Sequence, residues 1–121
     1  MNYFIIPGIK GKNTLNLSEV ILEVLEYTGL TEERLKSKCR TRDLCNARFL
    51  VVYYLRSYTK IELRKIANYF GQDHTTIIHA YQTASNLIFS SDGEFNRAIR
   101  SIDFALNCKN FNLTRVRPLK D

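Results

Sequence analysis

The tightest constraint on this chain lies at Phe70-Gly71-Gln72-Asp73, where one helical pattern stops and another starts with almost no chain between them. Gly71 can take the left-handed backbone conformation that ends a helix and turns the chain sharply. Asp73 is an N-cap residue, whose carboxylate accepts from the free N–H groups of a new helix. Before the turn, Leu63, Ile66, Ala67 and Phe70 stand at i, i+3, i+4 and i+7. After it, Ile77, Ile78, Tyr81, Ala84 and Ile88 read as one inward face. Two helices joined by a tight, glycine-containing turn form a helix-turn-helix, whose second helix enters the DNA major groove by its N-terminal end. That end carries His74, Thr75 and Thr76, and His79 shares a side with Thr75 and Thr76 at i+4 and i+3.

Helical patterns fill most of the remaining chain. Asn16 and Glu19 form a capping box before Val20, Ile21, Val24 and Leu25, with Glu19, Glu23 and Glu26 outside. Gly29 stops this helix after about Tyr27, and a short second helix runs from Thr31 to near Lys36. Residues 37–42 read as a basic, polar loop. Thr41 or Asp43 can cap the next helix, over residues 44–56, which is apolar nearly all round as a central, buried helix is. Thr59-Lys60-Ile61-Glu62 reads as a capping box for the first helix of the pair. Ser91-Asp92-Gly93-Glu94 reads as a turn with another such box before Phe95, Ala98, Ile99, Ile102 and Leu106. The prediction is an all-α, compact domain of about six helices over residues 16–108. An N-terminal arm precedes it over 1–15, and a basic, mobile tail with Pro118 follows over 109–121. At 121 residues the chain suits one domain and no more.

Charge is unevenly placed along this frame. Residues 34–48 hold six cations and one acid, a net of +5, and the tail adds a net of +3, whereas residues 1–33 come to −3. A central basic block of that kind is the footprint of a polyanion binder. Lys38, Arg40 and Arg42 lie in the loop and Arg48 one turn into the central helix. An arginine in such a loop can reach the minor groove beside the major groove that the second helix reads.

Other chemistries find little support. His74 and His79 are about 140° apart around a helix and cannot easily share a metal ion. The cysteines Cys39, Cys45 and Cys108 are odd in number and lack C-x-x-C spacing, so neither a metal site nor a disulfide framework is expected. No nucleotide-binding or hydrolase motif is present. The expectation is a non-enzymatic protein without cofactor or metal. No apolar run is long enough to span a bilayer, and the N-terminus makes a poor signal peptide.

The stretch Phe70-Gly71-Gln72-Asp73-His74-Thr75-Thr76-Ile77-Ile78-His79-Ala80 resembles the C-terminal, DNA-binding domain of the bacterial replication initiator DnaA. The basic run Leu35-Lys36-Ser37-Lys38-Cys39-Arg40-Thr41-Arg42 and the segment Ala47-Arg48-Phe49-Leu50-Val51-Val52-Tyr53-Tyr54-Leu55 resemble that family's basic loop and the helix after it. So does Tyr58-Thr59 followed by Leu63-Arg64-Lys65-Ile66, and the likeness covers roughly residues 17–108. The resemblance implies that Asp73, His74, Thr75 and Thr76 read the major groove; Gln72 and His79 are further DNA-binding candidates, His79 through a phosphate or structural hydrogen bond. It implies that Arg40, helped by Arg42, enters the minor groove, that Lys38 and Arg48 hold backbone or base edges, and that Leu63 and Arg64 approach phosphate. The family's glycine pair and following cation are shortened here to Gly71-Gln72, and Phe49 stands where the family usually has glutamine. No Walker motif accompanies the domain, so it reads as a DnaA-like domain without the ATPase.

The function expected is sequence-specific binding of double-stranded DNA at DnaA-box-like sites, in replication initiation or its regulation. The chain would act as a monomer on DNA, on the nucleoid in the cytoplasm, with other replication proteins as further partners. The alternatives are a DnaA-like module that binds a protein through Tyr53, Tyr54, Tyr58, Tyr69 and Tyr81, a small helix-turn-helix transcription regulator, and a binder of structured RNA.

Overall fold

The computed structural model describes residues 14–116, and among them the regular structure consists of six helices. They are α1 (Leu17–Thr28), α2 (Glu32–Leu35), α3 (Arg42–Tyr58), α4 (Leu63–Phe70), α5 (His74–Phe89) and α6 (Gly93–Cys108). The all-α prediction is met, and no helix among the described residues is long and apolar enough to cross a membrane. The arm up to residue 13 and the tail beyond residue 116 lie outside the described residues.

α3 is the centre of the bundle. Leu44, Ala47 and the unbroken run Leu50, Val51, Val52, Tyr53, Tyr54 and Leu55 are buried, which an amphipathic surface helix could not achieve. α5 and α1 make the largest contacts with it, and α2 and α4 also touch it. α6 adds Phe95, Ala98, Ile99, Ile102 and Leu106 to the same core, as its periodicity predicts.

The turn between α4 and α5 has the expected chemistry. Gly71 has φ +65°, its N–H donates to the Asn68 carbonyl at 3.2 Å, and the Gln72 N–H donates to the Ala67 carbonyl at 2.9 Å. These two bonds close the last turn of α4 in a Schellman motif. The same pair of bonds ends α5 around Ser91, which adopts φ +61° without the freedom of a glycine.

Four sequence readings need correction. Thr59 and Glu62 do not form a capping box: the Thr59 hydroxyl donates to the Leu55 carbonyl at 2.6 Å and accepts from the Ile61 N–H, so it finishes α3. α4 therefore begins only at Leu63. The cap of α6 is Asp92 rather than Ser91, because Ser91 is already used in closing α5. On α5, Ile78 is exposed and Ser85 buried, since the face that meets the core follows Ile77, Tyr81, Ala84 and Ser85 at i, i+4, i+7 and i+8. Glu23 is buried instead of solvated, because Lys109 returns from the end of α6 to pair with it and with Glu26.

The chain that follows lies against the bundle as far as residue 116. Phe111 is buried, the Val116 N–H donates to the Ser57 carbonyl at 2.8 Å, and the Arg115 guanidinium lies 5.4 Å from the Tyr53 ring and 5.3 Å from that of Tyr58. Cation–π contact and an apolar anchor fix a segment whose own sequence has no period.

The deepest polar contact in the core joins α3 to α6. The Tyr54 hydroxyl donates to Asp103 Oδ1 at 2.6 Å and lies 3.0 Å from the Ile99 carbonyl oxygen. Burial holds the Asp103 carboxyl above its ordinary range, and the Tyr54 bond and Arg115 oppose that rise. Tyr54→Phe is expected to cost about 1–3 kcal/mol, because the carboxylate loses its buried donor. Stability should fall as pH rises from the unfolded Asp value through the higher folded one, and the variant should extend that fall to higher pH, since its folded value is higher still. Urea denaturation from roughly pH 2 to 8, which starts about two units below the unfolded Asp value of about 3.9, checks both effects.

Candidate nucleic-acid interface

Of the twelve residues singled out from the sequence, some gather at one cleft and others do not. A cleft of 560 Å³ lies between the basic loop, the N-terminal half of α3 and the first turns of α5. Seven of the twelve candidates line it: Arg40, Arg48, Gln72, Asp73, Thr75, Thr76 and His79. Lys38, Arg42, Leu63, Arg64 and His74 do not.

Asp73 builds the entrance. Its Oδ1 accepts from the Thr76 N–H at 2.9 Å and from the Thr76 hydroxyl at 2.8 Å. Those two bonds, with a smaller contribution from His74, hold the fully exposed carboxyl below its ordinary range. One bond is the helix cap; the other decides what Thr76 can offer a ligand. With its hydroxyl proton already donated, Thr76 presents a methyl group and an acceptor. Gln72, His74, Thr75 and His79 are exposed, with His74 at the first position of α5.

The loop cations divide by geometry. Lys38 and Arg40 are exposed and have no hydrogen-bond or ion-pair partner among the described residues. Arg42 is turned towards α6 and pairs with Glu94 at 3.2 Å. That pair is well exposed and contributes at most about 1 kcal/mol, so it holds Arg42 only weakly. Arg64 lies 3.4 Å from Glu62 at the start of α4, next to the half-buried Leu63.

Arg48 has a use that the sequence did not suggest. Its Nε donates to the Leu35 carbonyl at 2.9 Å, Nη1 to Cys39 at 2.7 Å, and Nη2 to Ser37 at 2.8 Å and Arg34 at 3.3 Å. α2 is a single turn, and its last carbonyls have no intrahelical donor. The planar guanidinium gathers them together with those of the loop. Arg48 thus shapes the loop that carries Lys38 and Arg40, in place of the direct backbone or base contact that the resemblance implied. A second tie comes from Tyr69, whose hydroxyl donates to Glu32 at 2.6 Å and whose ring lies 4.7 Å from Lys36 Nζ.

Cys45, Phe49, Ala80 and Thr83 also line the cleft and were not singled out from the sequence. Their spacing was the available signal: Cys45 and Phe49 are i, i+4 on α3, and Thr76, Ala80 and Thr83 continue one strip of α5. The almost uniform apolarity of residues 44–56 hid the strip on α3.

Arg48→Ala is expected to deprive the Leu35, Ser37 and Cys39 carbonyls of this donor, while Ser37 still serves that of Arg34, and to speed amide hydrogen exchange across residues 36–41. The expected cost in stability is about 1–3 kcal/mol. Arg48→Lys should restore little, because an ammonium cannot span the same fork. Unchanged exchange in the loop would show that its shape does not depend on Arg48.

The bacterial DnaA protein helix-turn-helix family matches residues 17–84. The chromosomal replication initiator protein DnaA of Thermoanaerobacter sp. (strain X514) is 41% identical over 66 residues, which are 54% of this chain and 15% of that protein. The same values hold for the DnaA of Caldanaerobacter subterraneus subsp. tengcongensis. The DnaA of Flavobacterium psychrophilum is 32% identical over 97 residues, 79% of this chain and 20% of that protein. The chain therefore matches between 15% and 20% of the length of these relatives.

Proposed function

Because the chain belongs to the bacterial DnaA helix-turn-helix family, we propose that it binds double-stranded DNA through α4, α5 and the basic loop. The observation that carries this reading is the cleft, which brings Arg40 together with the first turns of α5. Residues on α5 meet base edges in the major groove, where the Thr76 methyl suits the C5-methyl of thymine and Asp73 can accept from cytosine. Arg40 enters the neighbouring minor groove, where a narrow, A·T-rich step deepens the negative potential. The binding is sequence-specific, at sites of the DnaA-box type, and serves the initiation of replication or its regulation. One copy covers one site, on the nucleoid, beside other replication proteins. The role is recognition and not catalysis.

The burial of Tyr53, Tyr54 and Tyr81, with Tyr58 and Tyr69 half-buried, weakens the rival reading of an aromatic protein-docking surface. These rings serve the core and its edges.

Selection from a random duplex library tests the proposal and yields the site. Lys38, Arg40, Lys60, Arg64 and Lys65 are exposed cations around the helix pair. If about five cations meet phosphate, log K against log[salt] should have a slope of roughly −4 to −5, and a slope near zero sinks the reading. Readout and anchoring should also separate. His74→Ala or Thr76→Ala is expected to cost about 1–3 kcal/mol on the selected site and little on random DNA, whereas Lys38→Ala weakens both alike. Equal losses on both DNAs for all three variants would mean that α5 is not the reader.

A further inference from the structure

The two grooves of a duplex lie on either side of a sugar–phosphate strand, so a domain that reaches both at once must straddle that strand. In this molecule Arg40 of the loop, Cys45, Arg48 and Phe49 of α3, and Thr75, Thr76 and His79 of α5 line one cleft. Phe49 is half-buried and packed against the core, so its position is fixed by the fold. The strong donors at this level are directed elsewhere, since Arg48 points Nε, Nη1 and Nη2 at the carbonyls of Arg34, Leu35, Ser37 and Cys39. The lining is therefore mostly polar and charged, and Phe49 contributes its one phenyl ring.

Resting on the duplex-DNA reading above, we propose that one DNA strand lies in this cleft with its sugars against Phe49, and that Phe49 makes the site select deoxyribose over ribose. Phosphates, which need donors, are held by Arg40 and the Thr75 hydroxyl, since the Thr76 hydroxyl is committed to Asp73. Sugars meet the Phe49 ring. The C2′ methylene of deoxyribose loses nothing on contact with an aromatic ring. A ribose 2′-hydroxyl pressed on the ring gives up its water partners, and the ring offers no hydrogen bond in return. That hydroxyl is the group by which a protein tells RNA from DNA at a given position. Glutamine, the residue that the DnaA resemblance puts at position 49, could pair with it, whereas phenylalanine cannot.

The test uses the whole chain and a fluorescein-labelled duplex carrying the selected site, with a single ribonucleotide moved along each strand in turn. Dissociation constants are measured by anisotropy for the wild type, Phe49→Leu and Phe49→Gln, after thermal melts establish that each is folded. The wild type is expected to lose roughly 3–10-fold in affinity when the ribonucleotide occupies one or two adjacent positions of one strand, and little elsewhere. Phe49→Leu, which keeps that position apolar, should retain the penalty, and Phe49→Gln should abolish it while still binding the all-DNA duplex. A flat ribonucleotide profile in the wild type overturns the inference and leaves the DNA reading standing. So does a penalty of equal size in Phe49→Gln, which would trace it to the altered duplex. Failure of the wild type to bind any all-DNA duplex overturns both.

Discussion

Everything in this molecule is arranged around the burial of α3. Its residues 50–55 are enclosed on every side, and each large apolar side chain so removed from water contributes about 1.5–3 kcal/mol. α5 and α1 make its most extensive contacts, so the helix that presents His74, Thr75 and Thr76 is positioned by the same surface that makes the core. The N-terminal half of α3 then has two duties at once. Leu44, Ala47 and Leu50 face inward, while Cys45, Arg48 and Phe49 stand on the side where the cleft opens. Core and cleft share one rigid element, and rigidity is what the proposed reading of base edges requires.

The basic loop shows how one cation can serve others. A single-turn helix such as α2 cannot sustain itself, because nucleation costs more than one turn returns. Arg48 joins the carbonyls of α2 and of the loop to one planar group anchored on α3. Tyr69 fastens the other end through Glu32. Lys38 and Arg40 are then displayed on a shaped loop rather than on a floppy one, which lowers the entropy lost when they meet a polyanion. Part of the +5 charge of residues 34–48 is thus structural, and counting charges overstates how many of them reach a ligand.

The same distinction explains which readings survived. The helix stops and starts were legible wherever the interaction was local. Gly71, Asp73, Asn16 and Thr31 do what their types and spacing suggest, because a cap or a Schellman turn joins groups no more than five residues apart. Where a motif failed, a competing local bond had claimed the same side chain, as with the Thr59 hydroxyl and the Leu55 carbonyl. The buried Glu23 was misread because its partner, Lys109, stands far away in the chain.

By itself, then, the amino-acid sequence determined the order of the helices, the turn that makes α4 and α5 a pair, and the family to which that pair belongs, since these rest on short-range hydrogen bonds and helical periodicity. Only the tertiary structure decided which cations remain free, that Phe49 lines the cleft, and that residues 109–116 lie against the bundle. Arg48 is 9 to 14 residues from its carbonyls, and Tyr54 is 49 from Asp103. No local pattern specifies such pairings, because they exist only once the packing of α3 has brought the segments together.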